Sequence, residues 1–128
     1  MIAIDTSSFI AYLSGKTGRD VEAVDMALEY RQGVLPPVVL TEILSDPQLP
    51  KTTAAAVRQL PLLEILDGYW ERAGNLRAKL ISKRRKAPVA DVLISQACID
   101  HDVALITRDQ DFRGFGELTG LKLFVPDN

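Results

Sequence analysis

The chain begins with Met1-Ile2-Ala3-Ile4-Asp5-Thr6-Ser7-Ser8-Phe9, and this stretch decides the predicted fold. Its apolar run from Ile2 to Ile4 ends in an acid, which is the pattern of a buried parallel strand. The hydroxyl residues that follow are typical helix caps, and apolar residues then recur at helical spacing. The stretch therefore predicts a β-strand followed directly by an α-helix.

Short apolar runs alternate with amphipathic stretches along the rest of the chain. Further strands are predicted at 34–40, 62–66, 103–106 and 121–125. Helices are predicted at 9–13, 19–32, 41–44, 51–60, 68–86 and 88–100. Asp67 is the expected cap of the 68–86 helix, and Trp70 is expected on its inner face. This alternation predicts a single α/β domain over residues 1–128, with a parallel sheet of about five strands and right-handed crossovers.

The composition excludes several classes of protein. The chain has 128 residues, of which 47% are hydrophobic and 25% charged, as expected for one soluble domain and not for a disordered chain. Cys98 is the only cysteine, so no internal disulfide can form, and we predict a reducing, cytoplasmic location. No apolar run approaches the ~20 residues that span a bilayer. The first residues also lack the basic region of a signal peptide.

The basic residues are unevenly distributed, although the net charge is only −2. Residues 77–86 contain no acid and hold Arg77, Lys79, Lys83, Arg84, Arg85 and Lys86. Cations near a helix C-terminus complement the helix dipole, which is one interpretation of this stretch. A patch that binds phosphate is the other, because such binding depends on clustered charge more than on net charge.

Acidic residues lie where a parallel α/β sheet binds its ligands, outside the carboxyl ends of the strands. Asp5 ends the first predicted strand, Glu42 follows the second, and Asp109 and Asp111 follow the fourth. Asp91 lies in the first turns of the helix that leads to that fourth strand, on a face with no other charge. Each acid alone also suits a helix cap, a first helical turn or a loop.

As a group, these acids predict a bound cation. At ~4 Å and an effective dielectric constant of ~20, each pair of like charges costs about 4 kcal/mol before screening. Basic partners, raised pKa values or a metal ion must offset that cost. Oxygen ligands favour Mg²⁺ or Mn²⁺, whereas a chain with His101 alone and no cysteine pair disfavours zinc. Carboxylate-bound Mg²⁺ usually acts on phosphate esters.

The ordered set of acidic motifs resembles the PIN domain, and within it the VapC-like toxin ribonucleases of type II toxin–antitoxin systems. The motifs are Asp5-Thr6-Ser7, Leu40-Thr41-Glu42-Ile43-Leu44, Asp91-Val92-Leu93-Ile94 and Thr107-Arg108-Asp109-Gln110-Asp111-Phe112. The resemblance covers essentially the whole chain. It implies a three-layer α/β/α fold, an Mg²⁺- or Mn²⁺-dependent endoribonuclease activity, a homodimer and inhibition by a cognate antitoxin.

The same resemblance implies roles for the acids. Asp5, Asp91 and Asp109 would hold the principal ion, and Glu42 would help to hold a second ion or orient the attacking water. Water would attack phosphorus in line and expel the 3′ oxygen, which leaves a 5′ phosphate. Because the ion activates water, no covalent enzyme intermediate is needed, and the chain has no recognisable nucleophile–base set.

Other residues are predicted to support this chemistry. Ser7 and Thr107 would orient carboxylates or waters, and Asp111 would add negative charge at the metal or cap the following turn. Arg108 would contact a substrate phosphate or form a surface ion pair. Lys83, Arg84, Arg85 and Lys86 are the remaining predicted RNA contacts. Asp20, on the predicted second helix, is expected to lie outside the cluster and to tolerate Asn.

Two alternatives stay open at this point. A receiver-like phosphoacceptor domain has a similar length, but it wants an acidic pair after strand one and a lysine after strand five. Here Asp5 is followed by Thr6, and the C-terminal residues after the fifth predicted strand include no lysine. A catalytically silent, RNA-binding PIN-like module keeps the fold without turnover.

Overall fold

The computed structural model describes residues 1–124, and strands and helices alternate along them. The strands are β1 (Ile2–Ile4), β2 (Gly33–Val34), β3 (Leu105–Ile106) and β4 (Leu123–Phe124). The helices are α1 (Thr6–Leu13), α2 (Arg19–Glu29), α3 (Pro37–Leu44), α4 (Lys51–Arg58), α5 (Tyr69–Ser82), α6 (Val89–His101) and α7 (Asp111–Thr119). The predicted α/β class is therefore confirmed.

The strands form one parallel sheet in the order β2-β1-β3-β4. Ala3 in β1 pairs with Val34 on one side and with Leu105 on the other. The chain leaves β1 toward one edge of the sheet and leaves β3 toward the other. Because parallel crossovers are right-handed, the helices that follow these two strands lie on opposite faces, which gives three layers. The strand order thus reverses between β1 and β3.

The sheet is smaller than predicted. The second strand ends at Val34 instead of continuing to residue 40, because Pro37 starts α3, where a proline is tolerated in the first turn. The strand predicted at 62–66 is reduced to one parallel bridge between Leu62 and Leu35. Within residues 1–124, four strands therefore replace the predicted five. Of the last predicted strand, residues 123–124 form β4, and Val125 lies outside the described residues.

The helices also depart from prediction. No helix was predicted for residues 111–119, yet α7 forms there although Gly114 and Gly116 each cost a helix about 1 kcal/mol relative to alanine. The buried rings of Phe112 and Phe115 pack edge to face, 5.6 Å apart, and this packing holds the helix. Asp67 does not cap α5, whose N-cap is Gly68 in the left-handed conformation. Trp70 is 65% exposed instead of facing inward.

The core lies on both faces of the sheet and fixes the strand ends that carry the acids. Ile4, Leu105 and Ile106 are fully buried at the centre of the sheet. Cys98 is also fully buried, and burial raises the pKa of its thiol to about 12. Within residues 1–124, no helix combines the length and the apolar character that crossing a membrane requires.

Candidate metal centre

The candidate site lies at the carboxyl ends of β1 and β3, where the strand order reverses. Asp5 follows β1, and Thr107 follows β3, with the Asp5 backbone N–H donating to the carbonyl of Ile106 at 2.9 Å. Helices leave these neighbouring strands toward opposite faces, so a crevice opens between the strand ends. This is the position at which open α/β sheets bind ligands.

Asp5 is held rigidly at the floor of the crevice. Its side chain is almost fully buried, and its Oδ2 accepts hydrogen bonds from the hydroxyls of Ser7 at 2.6 Å and Thr107 at 2.7 Å. Burial raises the pKa of Asp5; these hydrogen bonds oppose the rise without cancelling it, and the charge of Asp109 adds to it. Ser7 and Thr107 therefore orient the carboxylate that the sequence placed at the end of the first strand.

Glu42 reaches the crevice from α3. It lies in the second turn of that helix, and not directly after a strand as the sequence predicted. Its exposed carboxylate accepts a hydrogen bond from the Thr6 hydroxyl at 2.7 Å. Thr6 was expected only as a cap, so this contact was missed. The only sequence signal for it is a hydroxyl residue directly after the acid that ends β1.

Asp109 and Asp111 are ordered by the turn between β3 and α7. The backbone N–H of Asp109 donates to the Thr107 hydroxyl at 3.0 Å, and that of Asp111 donates to Oδ1 of Asp109 at 2.9 Å. Thr107 therefore contacts both Asp5 and the Asp109 backbone, which links the two strand ends. Asp111 is the first residue of α7, where a negative charge complements the helix dipole.

Asp91 is the acid most perturbed by the others. Burial is the main cause that raises its pKa to about 6, and the charges of Asp109, Asp5, Glu42 and Asp111 raise it further, in that order. The structure therefore brings the other four acidic side chains within electrostatic range of Asp91. A strongly perturbed carboxyl among like charges in a cleft is typical of a functional site.

The acidic cluster, meaning Asp5, Glu42, Asp91, Asp109 and Asp111, has no cationic partner among the described residues. The ion pairs found in residues 1–124 are Arg72–Asp100, Arg108–Asp20 and Lys122–Asp102, and none includes a member of the cluster. A bound cation would offset the repulsion instead. The cluster offers only carboxylate and hydroxyl oxygens, which fits a hard divalent ion such as Mg²⁺ or Mn²⁺.

The acidic cluster has the right ligand atoms for a hard divalent ion, but its side chains are not arranged as a complete coordination shell. Within residues 1–124, no three His, Cys, Asp or Glu side chains form a ready-made ligand set for a metal ion. Asp5 is fixed by its hydrogen bonds, whereas Glu42 is exposed and Asp91 and Asp109 are half-buried.

Asp91→Asn should stabilise the chain without metal. The pKa of Asp91 rises from 3.8 to about 6 on folding, so the folded protein loses stability as the pH rises from 3.8 to about 6. Two pKa units correspond to about 3 kcal/mol, which solvent screening of a half-buried group reduces to about 1 kcal/mol. Urea unfolding in EDTA should show that gain at pH 7.5 and almost none at pH 3.5. Equal stability at pH 7.5 would contradict the charge repulsion.

Arg108 forms the ion pair that was one of its two predicted roles. Its Nε and Nη2 donate to the Asp20 carboxylate at 2.8 and 3.1 Å, and Nη2 also donates to the Thr17 carbonyl at 3.1 Å. Asp20 is buried and accepts a further hydrogen bond from Ser8. Asp20 lies outside the acidic cluster, as predicted, but because its carboxylate makes these contacts we no longer expect Asp20→Asn to change little. Contact between Arg108 and RNA stays a prediction.

The basic stretch begins in the last turns of α5 and continues into the connection between α5 and α6. Arg77 is apart from it, because its Nε donates to the Ala87 carbonyl at 2.8 Å. Lys83, Arg84, Arg85 and Lys86 are exposed, and Arg84 has a left-handed backbone with a φ of 60°. This part of the chain ends the α5 helix and turns toward α6, which carries Asp91.

Comparison with known families decides what this arrangement belongs to. The sequence profile of the PIN domain matches residues 2–118, nearly the whole chain. The chain belongs to the PIN domain family. Membership in this family excludes the receiver-like alternative. A search of curated proteins finds no significantly similar relative.

Solved structures with a similar fold include a member of the VapBC family of toxin–antitoxin systems. VapBC2 from Rickettsia felis, bound to a DNA fragment from its promoter, has a TM-score of 0.72 at 18% identity, over 99% of this chain and 100% of the other. FitAcB from Neisseria gonorrhoeae has a TM-score of 0.68 at 16% identity, over 98% of each chain. VapBC-5 from Mycobacterium tuberculosis has a TM-score of 0.68 at 19% identity, over 95% of each chain.

Proposed function

We propose that this PIN domain is a divalent-metal-dependent endoribonuclease and the toxin of a toxin–antitoxin pair. The observation that carries the proposal is the acidic cluster at the carboxyl ends of β1 and β3, which has no cationic partner among residues 1–124. An array of carboxylates that raises the pKa of its own member Asp91 is costly unless a cation offsets it. Mg²⁺ and Mn²⁺ fit the oxygen donors.

The chain's own residues would divide the work. Asp5, Asp91 and Asp109 would hold the principal ion, and Glu42 would help to hold a second ion or orient the attacking water. When bound, the ion would lower the pKa of water and offset the charge that develops on the phosphate. Ser7 and Thr107 keep Oδ2 of Asp5 fixed, so this carboxylate needs no reorganisation during the reaction.

The predicted partners follow from the complexes that share the fold. The similar structures carry the names of toxin–antitoxin systems, and one of them includes promoter DNA. We therefore propose a cognate antitoxin protein as the partner of this chain and RNA as its substrate. The homodimer and the cytoplasmic location implied by the family resemblance stay predictions.

A catalytically silent RNA-binding module is the second candidate. The full set of acids favours catalysis over this candidate, since pure RNA binding requires cations and gains nothing from clustered carboxylates. Chelation separates the two functions. EDTA should abolish cleavage of a labelled RNA pool by a nuclease, whereas a silent module would bind RNA equally with and without EDTA and would never cleave it.

Divalent metal should stabilise the folded chain. A ligand at 100 times its dissociation constant adds ~2.7 kcal/mol to the free energy of unfolding. Thermal melts in millimolar Mn²⁺ should therefore lie several degrees above melts in EDTA. The Asp5→Asn variant is the matched control, because it removes one ligand and should shorten the shift. If the wild-type melting temperature is the same in millimolar Mn²⁺ as in EDTA, the metal site is contradicted.

A further inference from the structure

A polar cleft adjoins the acidic cluster on the side of α7. It encloses about 190 Å³ and lies between the α5–α6 connection and the first turns of α7. Its lining residues are Arg85, Lys86, Gln110, Asp111, Gly114 and Phe115. Asp111 belongs both to this cleft and to the cluster, and its N–H contacts Asp109. The cleft therefore shares Asp111 with the candidate metal centre.

Arg85 has a defined position in the cleft. Its side chain lies across Gly114 of α7, where a Cβ atom built on the glycine would be 3.3 Å from Nη1. Gly114 has an ordinary helical backbone, so no left-handed conformation requires the glycine. A glycine inside a helix costs about 1 kcal/mol relative to alanine. The absence of a side chain at Gly114 lets the guanidinium lie close against the helix.

The two cations of the cleft are not used by the fold. Neither Arg85 nor Lys86 belongs to an ion pair or to a side-chain hydrogen bond found within residues 1–124. Arg77 and Arg108, by contrast, donate to the Ala87 carbonyl and to Asp20. A guanidinium and an ammonium that face one cleft are the donors that bind a phosphate.

The four basic residues at positions 83–86 therefore form two pairs. Arg85 and Lys86 line the cleft, whereas Lys83 and Arg84 do not. All four carry the same charge and lie within four consecutive positions, so long-range attraction of RNA treats them nearly alike. Only direct contact with a phosphate distinguishes the pairs.

We propose that Arg85 and Lys86 form a subsite for an RNA phosphate that neighbours the scissile one. This inference rests on the proposed ribonuclease function. The acidic cluster would take the scissile phosphate through its ion, and the cleft beside Asp111 would take the next phosphate along the strand. Arg85 and Lys86 thereby position the RNA, while Lys83 and Arg84 contribute only general charge.

Two double variants with equal charge changes test the subsite. Arg85→Gln with Lys86→Gln should raise the dissociation constant for single-stranded RNA about tenfold and lower the salt slope by about 0.7, the contribution of the one phosphate that the subsite neutralises. Lys83→Gln with Arg84→Gln is the control and should change either quantity by much less. Both are measured with Asp5→Asn, so that the RNA stays intact, and cleavage is measured without that change.

The outcomes separate this inference from the proposed function. Equal losses of affinity in the two double variants, with wild-type cleavage intact, would overturn the subsite alone. If only the Arg85→Gln, Lys86→Gln variant loses RNA affinity but the wild-type chain never cleaves RNA in Mn²⁺, the ribonuclease proposal is overturned and the phosphate subsite is kept.

Gly114→Leu provides a second, independent variant. Its side chain would occupy the surface on which Arg85 lies, and leucine favours a helix more than glycine does. RNA affinity should fall several-fold while the melting temperature does not fall. Unchanged affinity in this folded variant would overturn the role of Arg85, and a purely structural role of Gly114 would appear as a lower melting temperature instead.

Discussion

Asp5→Asn should lower RNA cleavage by at least ~10²-fold and leave the chain folded. The substitution nearly preserves shape but removes the charge that a hard cation needs, and ~10²-fold is a typical cost of losing one well-placed electrostatic group. Asp5 is the acid fixed by Ser7 and Thr107, so no neighbour can replace it in the same position. Cleavage of a labelled RNA pool in Mn²⁺, with melting curves for each variant, measures the effect.

The folded state should survive, because the buried charge of Asp5 is itself unfavourable. Burial raises the pKa of this carboxyl, and a neutral amide removes that penalty while its oxygen still accepts hydrogen bonds. Asp25→Asn is the matched control, since Asp25 lies exposed on α2 and outside the cluster. Full activity in a folded Asp5→Asn chain would refute the metal-nuclease proposal, and loss of activity through unfolding would assign Asp5 a structural role.

The strand-end acids are the part of the site that local sequence predicts well. Asp5 and Asp109 follow short apolar strands, and parallel strands bring their carboxyl ends together whatever the loops do. Glu42 is more difficult, because Pro37 shortens the strand before it and extends the helix that carries it. Glu42 still joins the other acids, because α3 starts at Pro37, three residues after β2 ends at Val34, and so begins near the carboxyl end of that strand.

Contacts between distant residues are the part that one sequence does not carry. Thr6 and Glu42 are 36 positions apart, and Arg108 and Asp20 are 88 apart. No local pattern marks such pairs, since each side chain alone is an ordinary surface residue. Helix α7 was missed for a related reason. Its glycines argue against a helix locally, while the core into which Phe112 and Phe115 pack comes from elsewhere in the chain.

Acidic residues in this chain occur in two different environments, and Asp20 differs from the acidic cluster in having charged and polar partners within the fold. The acidic cluster concentrates like charge and depends on a ligand, whereas Asp20 is a buried acid whose charge is fully met by the fold. Arg108 and Ser8 donate three hydrogen bonds to its carboxylate. Gly18 makes room for the pair, because a Cβ there would lie 2.6 Å from Oδ1 of Asp20.

Asp20→Ala should therefore lower the free energy of unfolding by about 2–3 kcal/mol. The change leaves the fully buried Ser8 hydroxyl without its acceptor and the partly exposed Arg108 without its carboxylate, and an unpaired buried hydroxyl is costly. The melting temperature should fall by on the order of 10 °C. Asp20→Asn keeps an oxygen for Ser8, so its free energy of unfolding should lie between those of Asp20→Ala and wild type. Asp25→Ala is the exposed control on the same helix.

The loss at Asp20 should also depend on pH. Burial alone would raise the pKa of Asp20, but the hydrogen bonds from Arg108 and Ser8 and the charge of Arg108 outweigh it and hold the pKa below 3.8. An acid with a lowered folded pKa stabilises the chain above its unfolded pKa, and this stabilisation is lost as the pH falls through the folded value. Urea unfolding should thus separate wild type from Asp20→Ala by the full amount at pH 7 and by less below pH ~3.8. Equal stability of the two chains at pH 7 would mean that the Arg108–Asp20 pair does not hold α2 to the loop after β3.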